Sequence, residues 1–214
     1  MYIGRIVVAG LSPDGRAIAA YRVSSRSFPN RSAKLIGEQV SVMPRPGHEG
    51  DLAKNPYIAY NCVRLCGSVA VATNGSHTDP IAERLASGMS MRDSFALSLL
   101  ALDYEHDSLS TPRVAAAVDA RKGVCMLGIV RHDALLVREL AMKPGQAFFV
   151  ATYERNSPCE KNHEPEFKVS SAAEACAHVI GKGVFADFEK PVTAAAAVWN
   201  GSSYELAVSD APTA

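Results

Sequence analysis

Residues 4–23 read GRIVVAGLSPDGRAIAAYRV, and this stretch decides the class of the fold. Gly4 to Ala9 and Arg16 to Val23 are apolar runs rich in β-branched residues, the composition of strands. Between them, Ser12-Pro13-Asp14-Gly15 places proline and glycine where tight turns use them, so the chain opens on a hairpin. Lys34 to Val42 is expected as a third strand, closed by Met43-Pro44-Arg45-Pro46-Gly47, whose prolines cannot donate to a ladder. A loop runs on to Pro56. Ile58 to Leu65 and Ser68 to Thr73 flank Cys66-Gly67 as a further hairpin, ended by Asn74-Gly75. The first 75 residues are thus read as almost wholly β.

Helices follow. Asp79-Pro80 offers an N-cap and an N1 proline for a helix from Pro80 to Ser87, with Gly88 as its C′ residue. A longer helix starts at Ser90, with Asp93 as capping-box partner, and is expected to bury Phe95, Leu99 and Leu102 before ending near Tyr104. Arg113 to Ala120, Val124 to Val130, Ala134 to Ala141 and Ala147 to Tyr153 then read as an antiparallel meander. Ser171 and Glu174 cap a helix to about Ile180. Pro191 to Trp199 and Tyr204 to Ser209 close the chain around Asn200-Gly201. Hairpins outnumber helices and no regular βαβ alternation appears, which gives an α+β fold of antiparallel sheets faced by helices.

The chain of 214 residues is 48% hydrophobic and 21% charged, without a Pro/Ser-rich or highly charged tract, so one compact domain over residues 1–214 is expected. Lys+Arg and Asp+Glu are both 22. That balance removes the general attraction a nucleic-acid or anionic-membrane binder needs, so any affinity for anions must be local. The sequence shows no signal-peptide h-region and no apolar segment near the ~20 residues of a span, so a soluble, cytoplasmic protein is expected. Five cysteines, an odd number, suit free thiols in a reducing compartment.

Local charge is concentrated in YRVSSRSFPNR, residues 21–31, with three arginines, three serines, an asparagine and no acid. It runs from a strand end into a loop broken by Phe28-Pro29, where guanidinium forks, hydroxyls and free amides can gather on a phosphate. The plainer reading is a solvated basic turn.

Four strings, MYIGRIVVAG, YRVSSRSFPNR, YIAYNCVR (57–64) and LDYEHDSLSTPR (102–113), together resemble the archaeal-type IMP cyclohydrolase family. The likeness is specific over roughly the first half of the chain and rhythmic beyond it. It implies a four-layer αββα sandwich, two mostly antiparallel sheets flanked by helices, similar to the N-terminal-nucleophile hydrolases. It also implies closure of 5-formamidoimidazole-4-carboxamide ribotide to inosine monophosphate with loss of water. The expected partner is a small-molecule nucleotide, with no nucleic acid, no membrane, no metal and no organic cofactor. A homo-oligomer is compatible with the sequence.

Ring closure needs an acid/base pair, donors for an oxyanion and a phosphate clamp. On the family motifs Arg22, Arg26, Asn30 and Arg31 are assigned to the ligand's phosphate and ring, with Arg22 facing the reacting centre. Strand alternation sets Arg22 and Ser24 on one face and Tyr21 and Val23 on the other. Tyr60 is the expected proton shuttle, its pKa lowered below ~10 by a neighbouring arginine, unless it is simply a core residue with a bonded hydroxyl. Asn61 would orient the carboxamide, and Cys62 in the same string is placed with the ligand contacts. Glu105 is the carboxylate for proton transfer, against the alternative of a solvated helix end. Arg113 is its counter-ion or a second phosphate contact, and His106 is a rival base.

Cys62 is also the rival nucleophile of an amide hydrolase. Met1 is followed by Tyr2, so the encoded terminus offers no N-terminal nucleophile. A zinc site from Cys62, Cys66, Cys159 and His163 has loose spacing. A purine-nucleotide sensor, with the clamp but without the proton donors, is the non-enzymatic alternative.

Overall fold

The computed structural model describes residues 1–212. The strands are, in chain order, β1 (Ile6–Leu11), β2 (Ala17–Ser24), β3 (Arg31–Ile36), β4 (Gln39–Pro44), β5 (Tyr60–Cys66) and β6 (Val69–Thr73). They continue as β7 (Arg113–Asp119), β8 (Val124–Arg131), β9 (Ala134–Ala141), β10 (Ala147–Ala151), β11 (His163–Glu164), β12 (Pro191–Trp199) and β13 (Tyr204–Asp210). Helices are α1 (Asp51–Lys54), α2 (Thr78–Ala86), α3 (Met91–Leu102) and α4 (Ala172–Gly181). One sheet has the order β11-β10-β1-β2-β12-β13, and the other runs β3 to β9 in sequence order. Neighbouring strands within both sheets are antiparallel.

Alternation along β1 and β2 builds the layers. Val7, Ala9, Tyr21 and Val23 point between the sheets and pack with Val40, Cys62, Val63 and Val114. Ile6, Val8 and Ile18, with Phe149 of β10 beside them, point outward, where Val179 of α4, Phe167 and Phe185 cover them. On the far side, α2 and α3 bring Ile81 and Phe95 onto Val71 and Ala115 of the second sheet. The result is the four-layer order of helix, sheet, sheet and helices. The central strands of both sheets are buried on both faces, which is why they read as continuous apolar runs, whereas the edge strands β9 and β13 are exposed in part. Among the described residues no helix is long and apolar enough to cross a membrane.

Several boundaries differ from the sequence reading. The expected third strand is a hairpin, β3 and β4, because Gly37 adopts φ +60 and turns the chain. The following loop contains α1. The N-cap of α2 is His77, not Asp79, which lies in the first turn. Ser90 caps α3 by accepting from the Asp93 amide, and Phe95 and Leu99 are buried. Leu102 is 37% exposed, because the helix stops there and Asp103 takes φ 55. β7, β8 and β9 form a meander, but β10 leaves it to pair with β1 in the other sheet. At α4, Ser171 accepts from the Glu174 amide, while the Glu174 carboxylate returns to Ser170.

Candidate active site

Strand ends gather titratable groups at one end of the sandwich. Arg5 precedes β1, Tyr21 lies near the end of β2, Arg31 opens β3, Tyr60 opens β5 and Arg113 opens β7. Glu105 enters from the loop after α3. Its amide donates to the Thr111 carbonyl at 2.8 Å. Asp107 fixes that loop by accepting from the Leu109 and Thr111 amides and the Thr111 hydroxyl. Such Asx bonding stabilises a turn that has no ladder of its own.

The Glu105 side chain is 2% exposed and sits between two guanidinium groups. Arg5 Nη2 lies 3.4 Å from Oε2 and Arg113 Nη1 3.7 Å from Oε1. Arg113 Nε donates to the Asp103 carbonyl at 2.8 Å, which holds that side chain in place. Burial drives the carboxyl upward, Arg5 and Arg113 pull it down, and burial prevails, leaving it at about 7. Glu105 Oε1 and Arg113 Nη1 make no hydrogen bond among the described residues. A carboxyl titrating near neutrality can both accept and release a proton at physiological pH.

Tyr21 and Tyr60 share a hydrogen bond of 2.6 Å between their hydroxyls. The sequence expectation of a lowered Tyr60 pKa is corrected: burial raises it, and the opposing pull of Arg31 and Arg5 is smaller. Both phenols therefore stay protonated, one donating to the other and the second keeping its hydrogen to donate. Arg5 also reaches the Tyr153 hydroxyl at 3.5 Å, which lies 3.1 Å from Thr111 Oγ1.

Of these groups Arg5, Arg31, Glu105 and Tyr153 line a narrow cleft of about 60 Å³ together with Ser25 and Ser27, among others. Larger hollows of about 510 and 520 Å³ lie elsewhere, one against Trp199 and Leu35 and one against Arg45 and Lys190. The first has Tyr204 as its one buried titratable side chain and the second has none, so the cluster of opposed charges rather than the size selects the small cleft.

The structure brings Tyr60, Glu105, Arg31 and Arg113 together and separates the other expected residues. Arg22 is fully buried on the opposite face of β2 from Tyr21. Its guanidinium donates to the carbonyls of Val179, Ile180, Phe185, Phe188 and Glu189, so it caps the end of α4 and lies on the other side of the sheet from Tyr21, against the expectation that it faces the reacting centre. Asn61 points under α2, donating to Asp79 and accepting from Ser41, away from the cleft. Cys62 lies in the core between the sheets, and burial pushes its thiol far up, which removes it as ligand contact and as nucleophile. Arg26 is unopposed in sequence but paired in space with Glu189 at 3.1 Å and stacked over Tyr2. Asn30 lines the neighbouring hollow with Arg45 and Lys190. His106 is exposed and pairs with Asp103. Among the described residues no three His, Cys, Asp or Glu converge as a metal group.

Arg5, Tyr21 and Tyr153 were missed by sequence reasoning. Arg5 sits inside the string MYIGRIVVAG, and a lone cation just ahead of an apolar strand was the available signal. Tyr21 was on the face opposite Arg22, and Tyr153 had no signal at all.

A family model described as IMP cyclohydrolase-like protein matches residues 2–203. The IMP cyclohydrolase of Methanocella arvoryzae is 46% identical over 213 residues, covering 99% of this chain and all of that one. That of Methanosphaera stadtmanae is 44% identical over 206 residues, 96% of this chain and 98% of the relative. That of Methanothrix thermoacetophila is 44% identical over 209 residues, covering 97% and 98%.

Proposed function

The chain belongs to the IMP cyclohydrolase-like family, and from that premise we propose that the Glu105 cleft is where 5-formamidoimidazole-4-carboxamide ribotide closes to inosine monophosphate. The activity is that of an IMP cyclohydrolase. In it the carboxamide nitrogen attacks the formyl carbon, a C–N bond forms, and the carbonyl electron pair moves to oxygen. The C–O bond then breaks. One proton leaves the carboxamide nitrogen, one leaves the formamide nitrogen, and both depart with that oxygen as water.

Glu105 is the group that moves those protons, and its burial between Arg5 and Arg113 at a pKa of about 7 is the observation that carries the reading. A carboxyl at that value takes a proton from nitrogen and returns one to the departing hydroxyl without leaving neutral pH. The neutral Tyr60–Tyr21 pair supplies a donor for the oxyanion, and low local polarity strengthens it. Arg31 and the hydroxyls of Ser25 and Ser27 are the proposed seat of the 5′-phosphate, at the wall of the same cleft.

A nucleotide sensor would use that seat but has no need of a carboxyl buried at neutral pKa. The test is conversion of the formylated ribotide, followed by purine absorbance. The wild-type protein should turn over, also after exhaustive chelation, because only protons and one hydroxyl move. Tyr60→Phe and Glu105→Gln should lose kcat far more than substrate affinity. Near wild-type turnover in both variants would remove the assignment.

A further inference from the structure

The point where a β-carbon would sit on Gly75 lies 2.7 Å from Arg113 Nη1, 3.3 Å from His77 Nδ1 and 3.4 Å from Glu105 Oε1. All three atoms are buried and without a hydrogen-bond partner among the described residues. His77 is fully buried where β6 passes into α2. Its Nε2 lies 2.9 Å from the Val114 carbonyl, and because a carbonyl only accepts, Nε2 carries the ring hydrogen. Burial and the nearby Arg113 keep the ring neutral. Nδ1 is therefore a bare lone pair inside the protein, an expensive thing to leave unused.

The charges around Glu105 sharpen the point. Arg5 ahead of β1, Arg31 on β3 and Arg113 on β7 all favour the carboxylate, and Asp107 on its own loop opposes them. Arg113 is the charge facing His77. A carboxylic acid in that setting needs an acceptor for its hydroxyl, and His77 Nδ1 is the neutral acceptor turned to the same spot. Gly75 keeps the spot open, since a side chain there would run into Arg113 Nη1.

We propose that His77 is a positioning residue for Glu105, its bare Nδ1 accepting the hydrogen bond of the Glu105 acid through one bridging water. The proton is thereby held on Oε1, the oxygen turned from Arg5. This rests on Glu105 carrying the proton in ring closure.

The variants that read it are His77→Leu, which removes the acceptor, and His77→Asn, whose amide oxygen replaces Nδ1. In the pH profile of kcat, the limb belonging to Glu105 should move to lower pH by about half to one pH unit in His77→Leu, the equivalent of one ordinary hydrogen bond. His77→Asn should return it toward the wild-type position. Equal movement in both, or none in either, overturns the proposal. The second measurement needs no His77 variant and no turnover: imidazole nitrogen shifts of His77 followed by NMR from pH 5 to 9. The expected result is a neutral ring throughout, with an Nδ1 signal that moves as Glu105 titrates in the wild-type protein and stays still in Glu105→Gln. An Nδ1 signal indifferent to Glu105 overturns the proposal, whereas a moving signal in an inactive protein would retain it and reject only the catalytic reading.

Discussion

Arg22 and Glu105 are both almost completely buried, and their surroundings differ in kind. Around Arg22 the carbonyls at the end of α4 and in the segment that follows it take nearly every guanidinium hydrogen, and Ser24 accepts from Nε at 2.9 Å. Around Glu105 the ions stand at 3.4 and 3.7 Å, and one carboxyl oxygen and one guanidinium nitrogen have no hydrogen bond among the described residues. A saturated buried charge is scaffolding, because any ligand would have to break existing bonds to reach it. An unsaturated one has bonding capacity left for a substrate. Burial alone does not separate the two cases; the count of filled bonds does.

The largest effect that can break this comparison is on turnover. Glu105→Gln should cut kcat by roughly 10²–10⁴, the usual contribution of a placed acid or base. The protein should stay folded by circular dichroism, and a fall confined to KM would put Glu105 with the binding groups instead.

Arg22→Met should do the reverse. It leaves several buried carbonyls unpaired, at a cost of about 3–5 kcal/mol, or roughly 10 °C in Tm for a chain of this size. Calorimetry measures the first, and kcat per folded molecule should remain near wild type below the transition. Lost turnover in a fully folded Arg22→Met protein would return this residue to the active site.

Stability against pH sharpens the comparison further. The Glu105 carboxyl sits at about 7 when folded and 4.5 when free. Between those values the folded chain holds a proton that the unfolded chain has released. That contribution is complete below about 4.5 and lost as pH rises through 7. Relative to wild type, Glu105→Gln should therefore gain stability between pH 5 and pH 8, by an amount on the order of 3 kcal/mol. Parallel Tm curves for the two proteins would mean that the carboxyl is not buried at a raised pKa.

The smallest contrast lies inside the basic loop. Arg31 is buried at the cleft, so Arg31→Ala should weaken inosine monophosphate by about 1.5–3 kcal/mol and inosine hardly at all. Arg26 is exposed and already paired, so Arg26→Ala should cost under about 1 kcal/mol. Titration calorimetry on both ligands distinguishes them, and equal losses for nucleotide and nucleoside would place the phosphate elsewhere.

The sequence by itself determined most of the strands and hairpins, though not the β3–β4 hairpin, β11 or the place of β10, together with the caps at Ser90 and Ser171 and, through the family strings, Tyr60, Glu105 and Arg113 as residues of interest. Those are local properties: periodicity, turn chemistry and residue type act within a few positions. It also placed Arg22 and Tyr21 on opposite faces of β2 correctly, but not which face looks toward Glu105. That depended on α4, some 150 residues later in the chain, covering one side while the second sheet covered the other. The departure of β10 from the meander likewise needed β1 as its partner, and the pairing of Arg26 with Glu189 joined residues that no sequence window contains. Whether a buried charge is saturated or left open is set by which distant carbonyls and guanidinium groups reach it, and only the tertiary structure decides that.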